Sequence, residues 1–182
     1  MDISDFDFSD GLAAFLQEIP ATDLILLPSD SDGTLPVLGF NYSQSDFDLV
    51  RRLRESRLPV STLSNEASVA PLNFAPSIQA MIEAGGWIAP TLFFSAAATS
   101  ENQHIVSVSL GVIANWLTEI VTPTSSDVTP QNENVRISII LESRKTKTTE
   151  EGNRRIDYEG SIEGLNQLAQ QIQSLLDNER KA

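Results

Sequence analysis

The chain has 182 residues, 41% of them apolar, and a formal net charge of −13 at pH 7. This length and apolar content suit one domain with a substantial core. The sequence contains no cysteine and a single histidine, His104, which excludes disulfides, thiolate metal sites and zinc sites built from several histidines. The acidity argues against a general role in binding nucleic acid, because phosphate groups would be repelled.

The acidic residues are concentrated at the start of the chain. Residues 1–50 contain ten acids and no Lys or Arg, and a basic run from Arg51 to Arg54 follows directly. Solubility is one reason for such an imbalance. The alternatives are an acidic segment that meets a basic surface of a partner, and an acidic decoy or inhibitor that occupies a basic groove.

Residues 1–20 are predicted to form an acidic N-terminal arm or helix. Apolar residues recur at helical spacing from Leu12 to Ile19, and Pro20 ends the pattern. The aromatic residues of this segment are Phe6, Phe8 and Phe15. The segment either docks into a basic groove of a partner through these rings or folds onto the core of its own chain. Residues 21–182 are expected to form a single α+β domain.

A β-β-α-β order is predicted for residues 23–63. Apolar runs at 23–28 and 35–42 flank an Asp-Gly turn, which is typical of a hairpin. Phe47, Val50 and Leu53 share one face of a predicted helix that begins at Ser45 and ends at Arg57, and a short strand follows at 58–63. The outer face of this helix carries Arg51, Arg52 and Arg54, which are candidates for contact with an acidic partner.

The middle of the chain is predicted to contain two helices and one ambiguous stretch. Pro76 suits the first turn of a helix that ends at Gly85. Residues 87–98 are apolar without a clear period and fit either a buried helix or a strand. Residues 105–121 keep their apolar side chains in helical phase and predict a long helix. A Pro-containing connector is expected at 122–134.

The end of the chain gives the clearest pattern. Apolar and polar residues alternate from Val135 to Leu141, and a second, shorter alternation surrounds Ile156. Ser161 then precedes an apolar stripe at helical spacing that extends to Leu176, so it is a candidate N-cap. The predicted fold class is α+β, with a small mixed or antiparallel sheet, amphipathic helices packed on it, and a C-terminal β-hairpin followed by a helix.

The stretch from Leu24 to Leu35, LILLPSDSDGTL, resembles the first motif of haloacid-dehalogenase-type phosphatases. The resemblance implies Asp30 as the nucleophile, Asp32 as the acid and base, and Mg²⁺ as the metal ion. The chain departs from the family pattern, because two residues separate the predicted strand from Asp30 and no Asp-Asp pair follows Asp48. A Mg²⁺-dependent phosphatase is therefore an alternative function.

The second half of the chain resembles the adaptor domains called effector-associated constant components, which belong to bacterial conflict and signalling systems. The resemblance covers about residues 78–176 and rests on the order of the elements, on the string IANWL and on the junction YEGSIEGL. Such domains accompany proteases or other effectors and are regarded as coupling modules without catalytic activity. The resemblance implies an adaptor role in bacterial defence or signalling, and no active site.

The expected function is that of a cytoplasmic, non-enzymatic protein-binding adaptor. The acidic N-terminus lacks the basic start of a signal peptide, and the apolar stretch at 85–98 is too short to span a bilayer. The expected partner is another protein, such as an effector enzyme. Binding to nucleic acid, a membrane or a cofactor is not expected, and homo-oligomerisation is an open alternative. The candidate protein-binding residues are Phe6, Phe8, Phe15, Arg51, Arg52 and Arg54.

Overall fold

The computed structural model describes residues 1–21, 23–27, 42, 44–63, 87–89, 91–121, 134–143 and 152–181. The strands in these ranges are β1 (Asp2–Phe6), β2 (Leu24–Leu27), β3 (Val60–Thr62), β4 (Trp87–Ile88), β5 (Thr91–Phe94), β6 (Asn134–Ser143) and β7 (Gly152–Ser161). The helices are α1 (Asp10–Leu16), α2 (Gln44–Glu55), α3 (Ala96–Glu101), α4 (Ile105–Val121) and α5 (Gly164–Lys181).

One mixed sheet organises the molecule. Its strand order is β1-β7-β6-β5-β2-β3, and β4 pairs with β6 beside the start of β5. The β1–β7, β7–β6 and β5–β2 pairs are antiparallel, whereas β6–β5, β4–β6 and β2–β3 are parallel. The predicted α+β class with a mixed sheet is confirmed.

The C-terminal hairpin and helix are confirmed. Strands β6 and β7 pair over ten residues, from Asn134 opposite Ser161 to Ser143 opposite Gly152. Val135, Ile137 and Ile139 are buried on one face of β6, whereas Arg136 on the other face is exposed. The alternation in the sequence arises because a helical layer covers only one face at this end of the sheet.

Helix α4 lies at the centre of the helical layer and packs against both α2 and α5. It is buried over most of its length, which explains its high apolar content. Helix α5 also packs along β7 and buries Leu165, Leu168 and Ile172 at helical spacing. The predicted N-cap at Ser161 agrees with a 3.3 Å hydrogen bond from the Gly164 N–H to the Ser161 Oγ.

The ambiguous stretch at 87–98 contains both kinds of structure. Strands β4 and β5 come first, and α3 begins at Ala96. Ser95 is the N-cap of α3: its Oγ accepts a 3.0 Å hydrogen bond from the Ala98 N–H and donates to the Ala21 carbonyl. All four residues of β5 are buried, so neither face shows the polar positions from which a strand period is read.

The N-terminal segment belongs to the sheet. Residues 2–6 form β1 and pair with β7, from Asp2 opposite Asp157 to Phe6 opposite Asn153. The sequence predicted an arm or helix over residues 1–20: the helix is present as α1, and the unpredicted feature is the strand that precedes it. The pairing places Ser4 beside Arg155 and Asp5 beside Arg154, so the C-terminal half of β1 lies beside the two arginines of β7.

Residues 23–63 contain a strand-helix-strand unit, in which β2 and β3 are parallel and α2 lies between them in sequence. Leu49, Val50 and Leu53 on α2 are buried. The predicted strand at 35–41, the helix at 76–84 and the connector at 122–133 lie outside the described residues.

Two glycines at the β7–α5 junction lie directly against the side chain of Tyr158. The Tyr158 hydroxyl donates a 2.7 Å hydrogen bond to the Ser161 carbonyl, which folds the ring over the junction. A Cβ atom at Gly160 or Gly164 would lie 2.6 Å or 2.0 Å from the Tyr158 hydroxyl oxygen. The glycines of the YEGSIEGL string therefore leave room for the Tyr158 ring in this position, which a larger residue would displace.

Tyr42 connects the ends of the parallel strands β2 and β3. Its hydroxyl donates a 2.6 Å hydrogen bond to the Leu26 carbonyl and accepts a 2.9 Å hydrogen bond from the Leu63 N–H. The side chain is buried, and burial raises the pKa of the Tyr42 phenol well above its ordinary value of 10.0. The neutral phenol is therefore part of the folded structure.

Tyr42→Phe should lower the free energy of unfolding by about 3 kcal/mol at pH 7, because two buried backbone groups lose their partner. The folded-state pKa is raised, so the stabilisation is complete below the unfolded pKa of about 10 and falls as pH rises above it, by up to about 1.4 kcal/mol per pH unit. Urea unfolding of both proteins at pH 7 and pH 11 tests this. The difference between them should shrink at pH 11; a constant difference would contradict it.

Candidate protein-docking surfaces

Strand β1 forms an acidic edge of the sheet. It is the terminal strand in the order of pairing, and no described strand pairs with its outer side. Asp2 and Asp5 are exposed, and the exposed Asp7 and Asp10 follow. Two apolar side chains at this edge are also exposed, Met1 at 55% and Ile3 at 47%. An edge strand of this kind offers backbone hydrogen-bonding groups to another extended chain.

Aromatic contacts attach β1 to the rest of the fold. The ring of Phe6 packs edge-on against Phe8 at 5.1 Å between centroids, and Phe8 packs edge-on against Phe93 of β5 at 5.2 Å. The Arg155 guanidinium lies 5.6 Å from the centroid of Phe6. Phe6 and Phe8 are therefore partly buried internal contacts. Phe15, the third predicted aromatic anchor, lies on α1.

The opposite edge strand, β3, is blocked by a side chain of the same chain. The Leu24 N–H donates to the Pro59 carbonyl, so the next carbonyl along the strand, that of Val60, points away from β2. This carbonyl accepts two hydrogen bonds from Arg54, at 3.2 Å from Nε and 2.8 Å from Nη2. Arg54 was predicted to bind a partner, and the structure places it on its own sheet edge.

A polar depression of about 460 Å³ lies on the sheet face beside β1. The Ser138 Oγ donates a 2.5 Å hydrogen bond to Asp157, and the Arg155 Nε lies 3.0 Å from the same carboxylate oxygen. Arg136 pairs with Glu159 at 3.1 Å. These groups satisfy one another across β6 and β7, so they stabilise the platform on which β1 lies.

The arginines of α2 lie at a separate place from the phenylalanines. Arg52 forms a 3.2 Å ion pair with Glu119 of α4 and so connects two helices. Arg51 is more exposed and lies 3.5 Å from Asp48 and 4.0 Å from Glu55. The candidate residues therefore form two groups, and each α2 arginine has a partner within the chain. Exposed ion pairs of this kind contribute little to stability.

The acids of the N-terminal third do not share one exposed face. Asp46 is buried at 5% exposure, and Asp23 accepts a 2.6 Å hydrogen bond from the Ser61 hydroxyl. The exposed acids of this third include Asp2 and Asp5 on β1 and Asp7 just after it. Asp30 and Asp32, and the basic cluster at 144–147, lie outside the described residues. The structure therefore gives no positions for the two aspartates of the phosphatase-like motif.

Over the described ranges, no group of three or more His, Asp or Glu side chains is arranged to hold a metal ion. None of the helices within those ranges combines the length and the apolar content that a bilayer crossing requires.

Comparison of the chain with protein-family models, with curated proteins and with solved structures finds no significant match.

Proposed function

We propose that this protein is a non-enzymatic protein-binding module, and that the β1 edge is its docking element. The observation that carries the proposal is the exposed acidic edge strand, with Asp2, Ile3 and Asp5 all accessible. The partner is a protein that presents an extended segment rich in Lys or Arg. Backbone hydrogen bonds supply the affinity of such strand addition, and side chains supply the specificity.

The contrast between the two edges of the sheet supports this choice. At β3 the outward carbonyl of Val60 is already bonded to Arg54, whereas β1 has exposed side chains and no described strand pairs with its outer side. Charge complementarity supports a basic partner, since the exposed acids Asp2 and Asp5 lie on β1 and Asp7 and Asp10 follow it. It disfavours a second copy, because two acidic edges with their following aspartates would repel one another.

An adaptor role is the broader form of the proposal. The resemblance of residues 78–176 to effector-associated constant components implies coupling to an effector in a bacterial defence or signalling system. The β1 edge lies outside that range but is built on β7, which lies inside it. In the proposed module, residues 78–176 form the scaffold, and the N-terminal strand β1 makes the contact with the partner protein.

Neutralising the edge should weaken capture of the partner, because the two charge pairs with its basic residues are lost. Asp2→Asn with Asp5→Asn is compared with Glu18→Gln with Glu101→Gln, a control with the same change in net charge at exposed positions elsewhere. Affinity capture from the native host, with a photo-crosslinking residue at position 3, is followed by mass spectrometry. A protein that crosslinks at position 3, is lost with the edge variant and is kept with the control supports the proposal.

Two outcomes would overturn it. One is a partner that both variants retain equally. The other is a partner that crosslinks only from the α2 surface and is lost on Arg51→Glu, which would move the docking site to the helix layer.

A further inference from the structure

We infer that the partner strand carries two basic residues three positions apart, with an apolar residue between them. This spacing deepens the proposed function and rests on it. It follows from the faces on which the side chains of β1 lie, which the pairing with β7 fixes.

The register of β1 assigns its two acids to opposite faces of the sheet. Ile3 lies beside Ile156, which is buried, so Ile3 and Asp5 belong to the face that the helices cover. Asp2 lies beside Asp157, which borders the polar depression on the other face. Since side chains alternate along a strand, the three-residue step from Asp2 to Asp5 changes face.

A strand added to the outer side of β1 must follow the same alternation. Its side chains contact those directly opposite, at about 4.5–5.5 Å between Cβ atoms. In the antiparallel arrangement, which is the more stable pairing, a basic residue opposite Asp5 is followed two positions later by the residue opposite Ile3. The next residue lies opposite Asp2. The recognised pattern is therefore basic, any residue, apolar, basic.

This pattern differs from that of an ordinary amphipathic strand. Basic residues two positions apart lie on one face, so only one of them can meet an acid of β1. Ile3, at 47% exposure, explains the apolar position, because a partner side chain there would remove it from water. The edge thus distinguishes partner strands by the spacing of their basic residues as well as by the number of these residues.

Two peptides of identical composition test the spacing. The first, GSTKTVKTSG, has its lysines three positions apart with valine between them; the second, GSTKVKTTSG, has them two positions apart. Each is titrated into the full-length, ¹⁵N-labelled protein at low salt. The first should bind about two- to fivefold more tightly, because it gains one charge pair: the second peptide can place its valine opposite Ile3 and one lysine opposite an acid, but never both lysines opposite acids. The largest amide shifts should fall in residues 2–6.

A variant of the protein distinguishes the possible results. With Asp2→Asn, the first peptide should lose most of its advantage, whereas Glu18→Gln should leave it unchanged. Equal binding of both peptides at β1 would overturn the spacing and leave edge docking intact. Absence of binding by either peptide at millimolar concentration, or shifts confined to another surface, would overturn both the spacing and the proposed docking edge.

Discussion

Leu168→Asp is expected to unfold the protein. Leu168 is 2% exposed on α5, the helix that packs on both β7 and α4. An unpaired carboxylate at this position would lie in an apolar contact, at a cost of several kcal/mol. The whole stability of a domain is about 5–15 kcal/mol, so one such charge removes much or all of it.

Circular dichroism and thermal melting measure the effect. The matched control is Gln167→Asp, which adds the same charge at an exposed position of the same helix. The control should melt within a few degrees of the wild type, whereas Leu168→Asp should show no cooperative transition. A folded Leu168→Asp protein with a near-normal melting temperature would contradict the packing of α5.

Phe6→Ala combined with Phe8→Ala should lower the free energy of unfolding by about 3 kcal/mol. The rings are partly buried, so each loses less than a fully buried phenylalanine, and the two edge-on contacts that lead to Phe93 are lost as well. A free docking arm would have predicted almost no change in stability. The structure reverses that expectation because it places these rings on the sheet.

Urea unfolding measures the loss, and Ile3→Ala is the control from the same strand. Ile3 is half-exposed, so its truncation should cost less than about 1 kcal/mol. If the double variant were as stable as the wild type, the aromatic attachment of β1 would be wrong.

The elements that the sequence predicts well are those that meet solvent on one face. Strand β6 alternates because its second face carries Arg136 and Ser138, and α5 shows a helical stripe because its outer side is exposed. Strand β5 is buried on both faces, so no such period exists at 91–94. The parallel pairing of β2 with β3 is set by contacts far apart in sequence, which a local pattern does not contain.

The candidate site was harder to predict for the same reason. The segment DISDF has little apolar alternation, and its strand is defined by pairing with β7, about 150 positions later in the chain. Phe8 has its partner in Phe93, 85 positions later, so the sequence alone left open whether the ring docks on a partner or packs on its own core. Likewise, the hydrogen bonds from Arg54 to the Val60 carbonyl depend on β3 being an edge. Whether a strand lies at an edge depends on the order of the strands in the sheet, and that order is set by tertiary contacts that a local sequence pattern does not contain.

Amide hydrogen exchange of the captured complex tests the central claim most directly. The outward-facing amides of residues 2–6 should exchange rapidly in the isolated protein and become protected when the partner is bound, because they enter new backbone hydrogen bonds. Residues 51–55 of α2 should change little. Unchanged exchange in residues 2–6, with new protection on α2 and α4 instead, would contradict docking at the β1 edge.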